Sequence, residues 1–250
     1  MIDTHCHFDF AENPINYISN NERNKIITIG MTNLPSHFDL GINHIKNYKY
    51  IRLALGLHPL LAIEHEKEYL IFKRNIDKTS YIGEIGLDFS REGFKTKKIQ
   101  IKSFNFVLDC IDKNKKILSI HSRNAERDVF EILSGKNIEN VIFHWYSGSI
   151  ELLSKIIDKN YFFSINSAMI NSEHGKKIIN NIPKEQIVTE TDYPFIKDTD
   201  ILSCHHYLSN LWKKKEMEVE NIIRLNFNKL IQKIKTDAGY LTPNSKGDII

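Results

Sequence analysis

The sequence predicts an α/β protein of the (β/α)8, or TIM-barrel, type, and three observations predict it. Short β-branched or aromatic runs recur along its 250 residues: MIDTH, KIITIG, YIRLALG, YIGEIGL, KILSIHS, NVIFHW, YFFSIN and QIVTETD. Most are near-continuously apolar, as parallel strands buried on both faces are. Longer stretches of helical period separate them, and this alternation over this length has the size and grammar of the barrel. A doubly wound open sheet shares the alternation and is the structural alternative. No GxGxxG turn follows the first strand, which counts against its dinucleotide-binding form.

Taken in order, the elements carry an unusual set of strand ends. The first strand runs straight into His5 and His7, and spacing of two puts both imidazoles on one face while Cys6 points the other way to pack. The third strand ends in GLHP with His58. The fourth carries Glu84 inside it and Asp88 just beyond. The helical stretch that follows places Phe104, Val107, Leu108 and Ile111 on one face. The fifth strand ends in HSR, with His121 and Arg123, and the sixth in HWYSG, with His144. Ile150, Leu153, Ile156 and Ile157 then mark a second amphipathic helix, and the eighth strand ends in ETDYP with Asp192. Ile223, Phe227, Leu230 and Ile234 form a closing helix. One domain over residues 1–235 and a loosely ordered tail over 236–250 are expected.

Composition sets the outer bounds. The chain is 41% apolar and 26% charged with a formal charge of +3, values of a globular protein with a real core. That charge permits a nucleic-acid partner without indicating one, and lysine runs such as KTKKIQIK read equally as solvated faces. Cys6, Cys110 and Cys204 show no CxxC spacing and read as free thiols of a reducing compartment. With no secretory signal and no apolar run long enough for a bilayer, the expected location is cytoplasmic, with no membrane partner.

A lone histidine near an apolar strand is ordinarily a hydrogen-bonded structural residue, and that reading stands for His37, His44, His65, His174, His205 and His206. Barrel chemistry, however, sits at the carboxyl ends of the strands, where His5, His7, Glu84, His121, His144 and Asp192 all fall. A carboxylate inside YIGEIGL demands a cation or a dedicated donor. Six candidate ligands exceed one tetrahedral site, so a binuclear centre bridged by Glu84 is expected.

The ordered motifs DTHCHFD, GLHP, GEIGLDF, HSR, HWYSG and ETDYP, with LNFNKL in the closing helix, resemble the TatD family of metal-dependent nucleases. The resemblance covers roughly residues 1–235. It implies a metallo-dependent hydrolase barrel that cleaves phosphodiesters, often as a 3′ exonuclease on single-stranded DNA or RNA. His5, His7 and Asp192 would bind one metal and His121 and His144 the other, with Glu84 bridging. The usual HCFSG is here HWYSG and ETDAP is here ETDYP. These departures, with a compact segment after HFDF, resemble the QatD-type subunits of bacterial Qat anti-phage cassettes, which implies partner proteins of such a cassette.

A metal pair lowers the pKa of water and clamps the attacking and leaving oxygens of a phosphodiester. Asp192 is the candidate proton acceptor. His58 and Arg123 are placed for phosphate, and Asp88 to orient a ligand histidine. Trp145 and Tyr146, with Ser147 beside them, are candidates for base contact, wedging in the rim being the equal alternative for the two rings. Histidine-rich ligation suits Zn2+ or Mn2+, while the resemblance implies that Mg2+ or Mn2+ supports activity. Two rivals remain: a binuclear amidohydrolase acting on a small lactone or amide, or on an aminoacyl-tRNA ester, and a partner subunit in which catalysis is secondary. Amidohydrolases commonly bridge through a carbamylated lysine where this chain has Glu84.

Overall fold

A computed structural model of the chain describes residues 1–111, 115–197 and 199–235; the expected tail lies outside the described residues. Strand and helix alternate: β1 (Ile2–Cys6), α1 (Pro14–Arg23), β2 (Ile27–Gly30), α2 (Pro35–Gly41), β3 (Ile51–Leu53), β4 (Leu55–Leu57), α3 (His65–Asn75), β5 (Tyr81–Gly86) and α4 (Lys97–Cys110). The order continues with β6 (Ile117–His121), α5 (Glu126–Gly135), β7 (Val141–His144), α6 (Ile150–Asp158), β8 (Phe162–Ile165), α7 (Ser167–Asn171), α8 (Glu173–Asn181), β9 (Ile187–Thr189), α9 (Ile201–Trp212) and α10 (Glu216–Lys235). Helices begin where the sequence offers caps. The side chains of Asn13, Ser149, Asn166, Ser172 and Asp200 each accept a backbone N–H of the first turn.

Every strand pairing is parallel, in the orders β1-β2-β3 and β4-β5-β6-β7-β8-β9. YIRLALG, expected as one strand, is broken at Ala54: its first half pairs with β2 and its second with β5. Thr32 fills the gap, its hydroxyl donating to the Ala54 carbonyl at 2.8 Å and accepting the Gly56 N–H at 3.0 Å. The architecture is the (β/α)8 barrel, with the third barrel strand in two pieces.

The other seam lies between β1 and β9. There the Thr4 hydroxyl donates to the Thr189 carbonyl at 3.0 Å, and the Thr189 hydroxyl to the Ile2 carbonyl at 2.6 Å. Above the strands, backbone bonds finish the closure, Asp192 N–H to the His5 carbonyl at 3.0 Å and His7 N–H to the Tyr193 carbonyl at 2.6 Å.

The barrel interior is layered. Ile2, Ile29, Met31, Ala54, Ile117, Ile142, Phe162 and Val188 pack as an apolar floor against Phe227 and Leu230 of α10. Two residues further along their strands, buried Ser119, His144, Ser164 and Glu190 replace that floor with polar groups. The larger core lies between strands and helices and takes Phe104, Val107 and Leu108 of α4 with Leu152, Leu153 and Ile156 of α6. Asn226, inside LNFNKL, pins α10 beneath β9 by donating to the Lys184 and Ile187 carbonyls at 2.7 and 2.8 Å. No helix among the described residues is long and apolar enough to cross a membrane.

Replacing Thr189 by Val keeps the shape of the seam and leaves the buried Ile2 carbonyl without that donor. The expected loss is about 1–3 kcal/mol, read as a lower urea midpoint. An unchanged midpoint would remove the hydroxyl from the account of closure.

Candidate active site

Two strands carry an extra residue against their neighbours, β1 between Asp3 and Cys6 and β5 between Ile82 and Ile85, the latter against both β4 and β6. Each irregularity sits where a polar side chain must be turned inward, and such irregularities re-aim side chains next to active sites. Ile2 and His5, an odd number of residues apart, both face the interior for this reason. Gly86 (φ +140°) permits the close approach on the other side of Glu84: a Cβ there would lie 2.0 Å from the His121 carbonyl.

The result is a convergence on Glu84, which is 2% exposed. One of its oxygens lies 3.1 Å from His7 Nε2, 3.6 Å from His5 Nε2 and 3.3 Å from His58 Nε2. The other lies 2.5 Å from His121 Nδ1 and 3.8 Å from His144 Nε2. An Asp192 oxygen stands 3.8 and 3.9 Å from the Nε2 atoms of His5 and His7. The His5 and His144 rings stack at 3.7 Å and 7°. Asp192 itself adopts φ +51°, a left-handed conformation uncommon for a residue other than glycine and a mark of functional sites.

Outer partners hold these groups. Asp88 meets His121 Nε2 at 2.8 Å, and Ser119 Oγ meets His5 Nδ1 at 2.7 Å. Glu190, which sequence reasoning passed over, meets His144 Nδ1 at 2.8 Å. It also accepts from Asn166 at 2.7 Å and from the Ser164 hydroxyl. Buried Asp3 accepts the Thr191 N–H at 3.0 Å and its hydroxyl at 2.6 Å, fixing the loop that carries Asp192. Glu190 could have been found by counting: it lies two residues after Val188, whose side chain belongs to the interior floor.

Electrostatics divide the imidazoles. Burial and the charge of His144 push His5 well below its ordinary range, keeping it neutral with a lone pair to offer. Burial alone would lower His144, but Glu190, Asp192 and Glu84 outweigh it and raise it to about 10. Burial likewise opposes His121, which Glu84 and Asp88 lift to about 9. Burial would raise Glu84, yet the charges of His58 and His121 and its hydrogen bonds hold it well below the usual carboxylate range. Asp192 is pushed up to about 7, chiefly by burial, with His144 opposing and Glu190 and Glu84 adding.

This donor set fits divalent cations. His5 Nε2 and His7 Nε2 face each other at 3.2 Å, where at most one proton can sit between two lone pairs. Among the described residues, ligand atoms converge in the trios His5–His7–Glu84, His5–His144–Asp192 and His58–Glu84–His121. Two of the trios share Glu84. His58, expected at phosphate, therefore also stands at ligand distance.

The expected substrate contacts fare differently. Trp145 is 38% exposed, at φ +39°, edge-on to His144 at 6.3 Å. Arg123 is exposed at the end of β6, and the Ser147 hydroxyl donates to Glu126 at 3.1 Å. Tyr146 corrects the expectation of base contact: it is 1% exposed, its hydroxyl donates to the Ser149 carbonyl at 2.9 Å, and its ring packs on Phe143 and Phe163. A left-handed turn at Trp145 sends the next side chain into the core.

Comparison with known proteins adds a family. The model described as TatD related DNase matches residues 2–232. An uncharacterized metal-dependent hydrolase of Methanocaldococcus jannaschii is 31% identical over 238 residues, 88% of this chain and 91% of the relative. The human protein named deoxyribonuclease TATDN3 is 24% identical, with 78% of each chain covered. In fold, the chain is similar to the crystal structure of the TatD homologue YJJV from Escherichia coli, with a TM-score of 0.81, 20% identity, and 92% and 97% of the two chains covered.

Protein stripped with a chelator is expected to gain thermal stability when a divalent ion is restored, about 2.7 kcal/mol at one hundred times the dissociation constant. Glu84→Gln should remove most of that shift. Glu190→Gln should weaken ion affinity roughly 10- to 100-fold, read by calorimetry. Equal ion affinity in all three proteins would dissolve the metal centre.

Proposed function

The chain belongs to the TatD-related DNase family, and from that premise we propose that it is a two-metal phosphodiesterase that hydrolyses nucleic acid from the 3′ end of single-stranded DNA or RNA. The observation that carries the reading is the convergence of the His5, His7, His58, His121 and His144 imidazoles on one buried carboxylate, Glu84, with Asp192 beside it. His5, His7 and Asp192 would hold one ion and His121 and His144 the other, with Glu84 available to both. His58, 3.3 Å from Glu84, is a further donor on the His121 side as well as a phosphate contact. Two bound ions, Mg2+ or Mn2+ with Zn2+ the alternative, would supply a nucleophilic water near neutral pH and offset charge on the phosphoryl oxygens.

The chain's own residues do the rest. Asp192, at the rim of this group, accepts the proton of the attacking water. Asp88 and Glu190 hold the imidazoles of His121 and His144 in fixed orientation, which preserves donor geometry through turnover. Arg123 meets the phosphate backbone from the end of β6, and Trp145 offers an exposed ring to a base. Trp145 and Tyr193, the rings that set the chain beside QatD-type subunits, support a place in a cytoplasmic anti-phage cassette.

End-labelled single- and double-stranded DNA and RNA, incubated with each metal, test the reading. Stepwise shortening from the 3′ end is expected, with Glu84→Gln and Asp192→Asn each lowering kcat at least 100-fold, the lower range for a lost acid–base group. Shortening that persists undiminished in both variants would assign the activity elsewhere. Cleavage of lactone or amide substrates with no cleavage of nucleic acid would hand the site to the amidohydrolase reading.

A further inference from the structure

Phe10 and Phe195 are large rings left 47% and 58% exposed beside a buried polar site. Single exposed apolar residues are ordinary, but these two pack on each other and on a site imidazole. Their centroids lie 5.8 Å apart at 45°. Phe195 stands edge-on to His7 at 4.9 Å, and Phe10 does so at 6.3 Å.

The backbone fixes both rings by the same device. The Phe10 N–H donates to the His7 carbonyl at 2.9 Å, and the Phe195 N–H donates to the Asp192 carbonyl at 2.9 Å. Each ring is thus the third residue after a site residue, held by a turn that closes on that residue. The His7 N–H, bonded to the Tyr193 carbonyl at 2.6 Å, joins the two turns. Rings from opposite ends of the chain are presented as one rigid surface at a set distance from His7 and Asp192.

We propose that Phe10 and Phe195 form a stacking platform for the nucleobase next to the scissile phosphate, an inference that rests on the nucleic-acid reading above. Any base presents a π-face, so an aromatic surface accepts it without regard to sequence. With planes tilted at 45° the two rings cannot both lie flat on one base; the base stacks on the face of Phe195, the more exposed ring, and meets Phe10 along its edge. A base can lie there only when unstacked from its neighbours, which selects single strands and frayed ends. Because the turns carrying the rings also carry His7 and Asp192, seating the base positions the adjoining phosphate at the ligand atoms.

The test compares wild type with the Phe10→Ala/Phe195→Ala double variant on two single strands, one natural and one whose 3′-terminal nucleotide lacks its base. Both rings are exposed, so the variant should keep its melting temperature. On the natural strand KM should rise roughly tenfold with kcat little changed. On the abasic strand the two proteins should perform alike, and Phe195→Tyr should restore stacking where Phe195→Leu does not. A terminal 2-aminopurine should be quenched on binding to wild type and not to the double variant, a signal read before any bond is cut. Equal losses on both strands, or none, overturn the platform while leaving the nuclease reading intact. Quenching without cleavage keeps the platform and removes hydrolysis; neither quenching nor cleavage removes both.

Discussion

A carboxylate held inside a barrel strand and away from water is the constraint on which the rest depends. Glu84 cannot stay charged there unaided, since burying an unpaired charge costs far more than a single hydrogen bond returns. The strand ends answer by bringing imidazoles to both of its oxygens, and β1 and β5 give up regular register where they contribute to that arrangement. Those imidazoles in turn need orientation, and Ser119, Asp88 and Glu190 supply it from one layer below or beside. The polar top of the barrel is therefore a nested set of compensations, and the apolar floor beneath it is what keeps water from undoing them.

Much of this was legible in the sequence because the relevant signals are local. Period two put His5 and His7 on one face, and an acid in the middle of YIGEIGL announced a buried charge. The amphipathic faces of α4, α6 and α10 followed from spacing alone. What was not legible depends on partners distant along the chain or on a change of backbone direction. The break at Ala54 is set by the hydroxyl of Thr32, which YIRLALG does not contain. Glu190 was overshadowed by Asp192 because its partners, His144, Ser164 and Asn166, arrive from other strands. For Tyr146 the sequence leaves base contact and packing as equal alternatives; packing holds because strand alternation ends at Trp145, whose left-handed φ turns the following ring inward.

The departures at HWYSG and ETDYP do not crowd the site equally. Tyr193 lies 4.6 Å from Tyr17, stacked at 2° against a ring of α1, so its bulk is spent on holding the Asp192 loop to the first helix. Trp145 instead faces solvent beside His144. One of these rings therefore supports the loop that carries Asp192 and the other lies at the rim of the site.

The seam gives the site a structural part to play as well. β1 and β9 share no regular ladder among the described residues; Thr4 and Thr189 join them low down, and two backbone bonds join them above. His5 and His7 follow from one side of that seam and Asp192 from the other. A cation coordinated by all three would bridge the first and last strands where their pairing is least regular. Part of the affinity for such an ion would then appear as stability of the closure, added to what the Thr4, Thr189 and backbone bonds supply. His5, His7 and Asp192 would in that case join the seam from above as Thr4 and Thr189 join it from below.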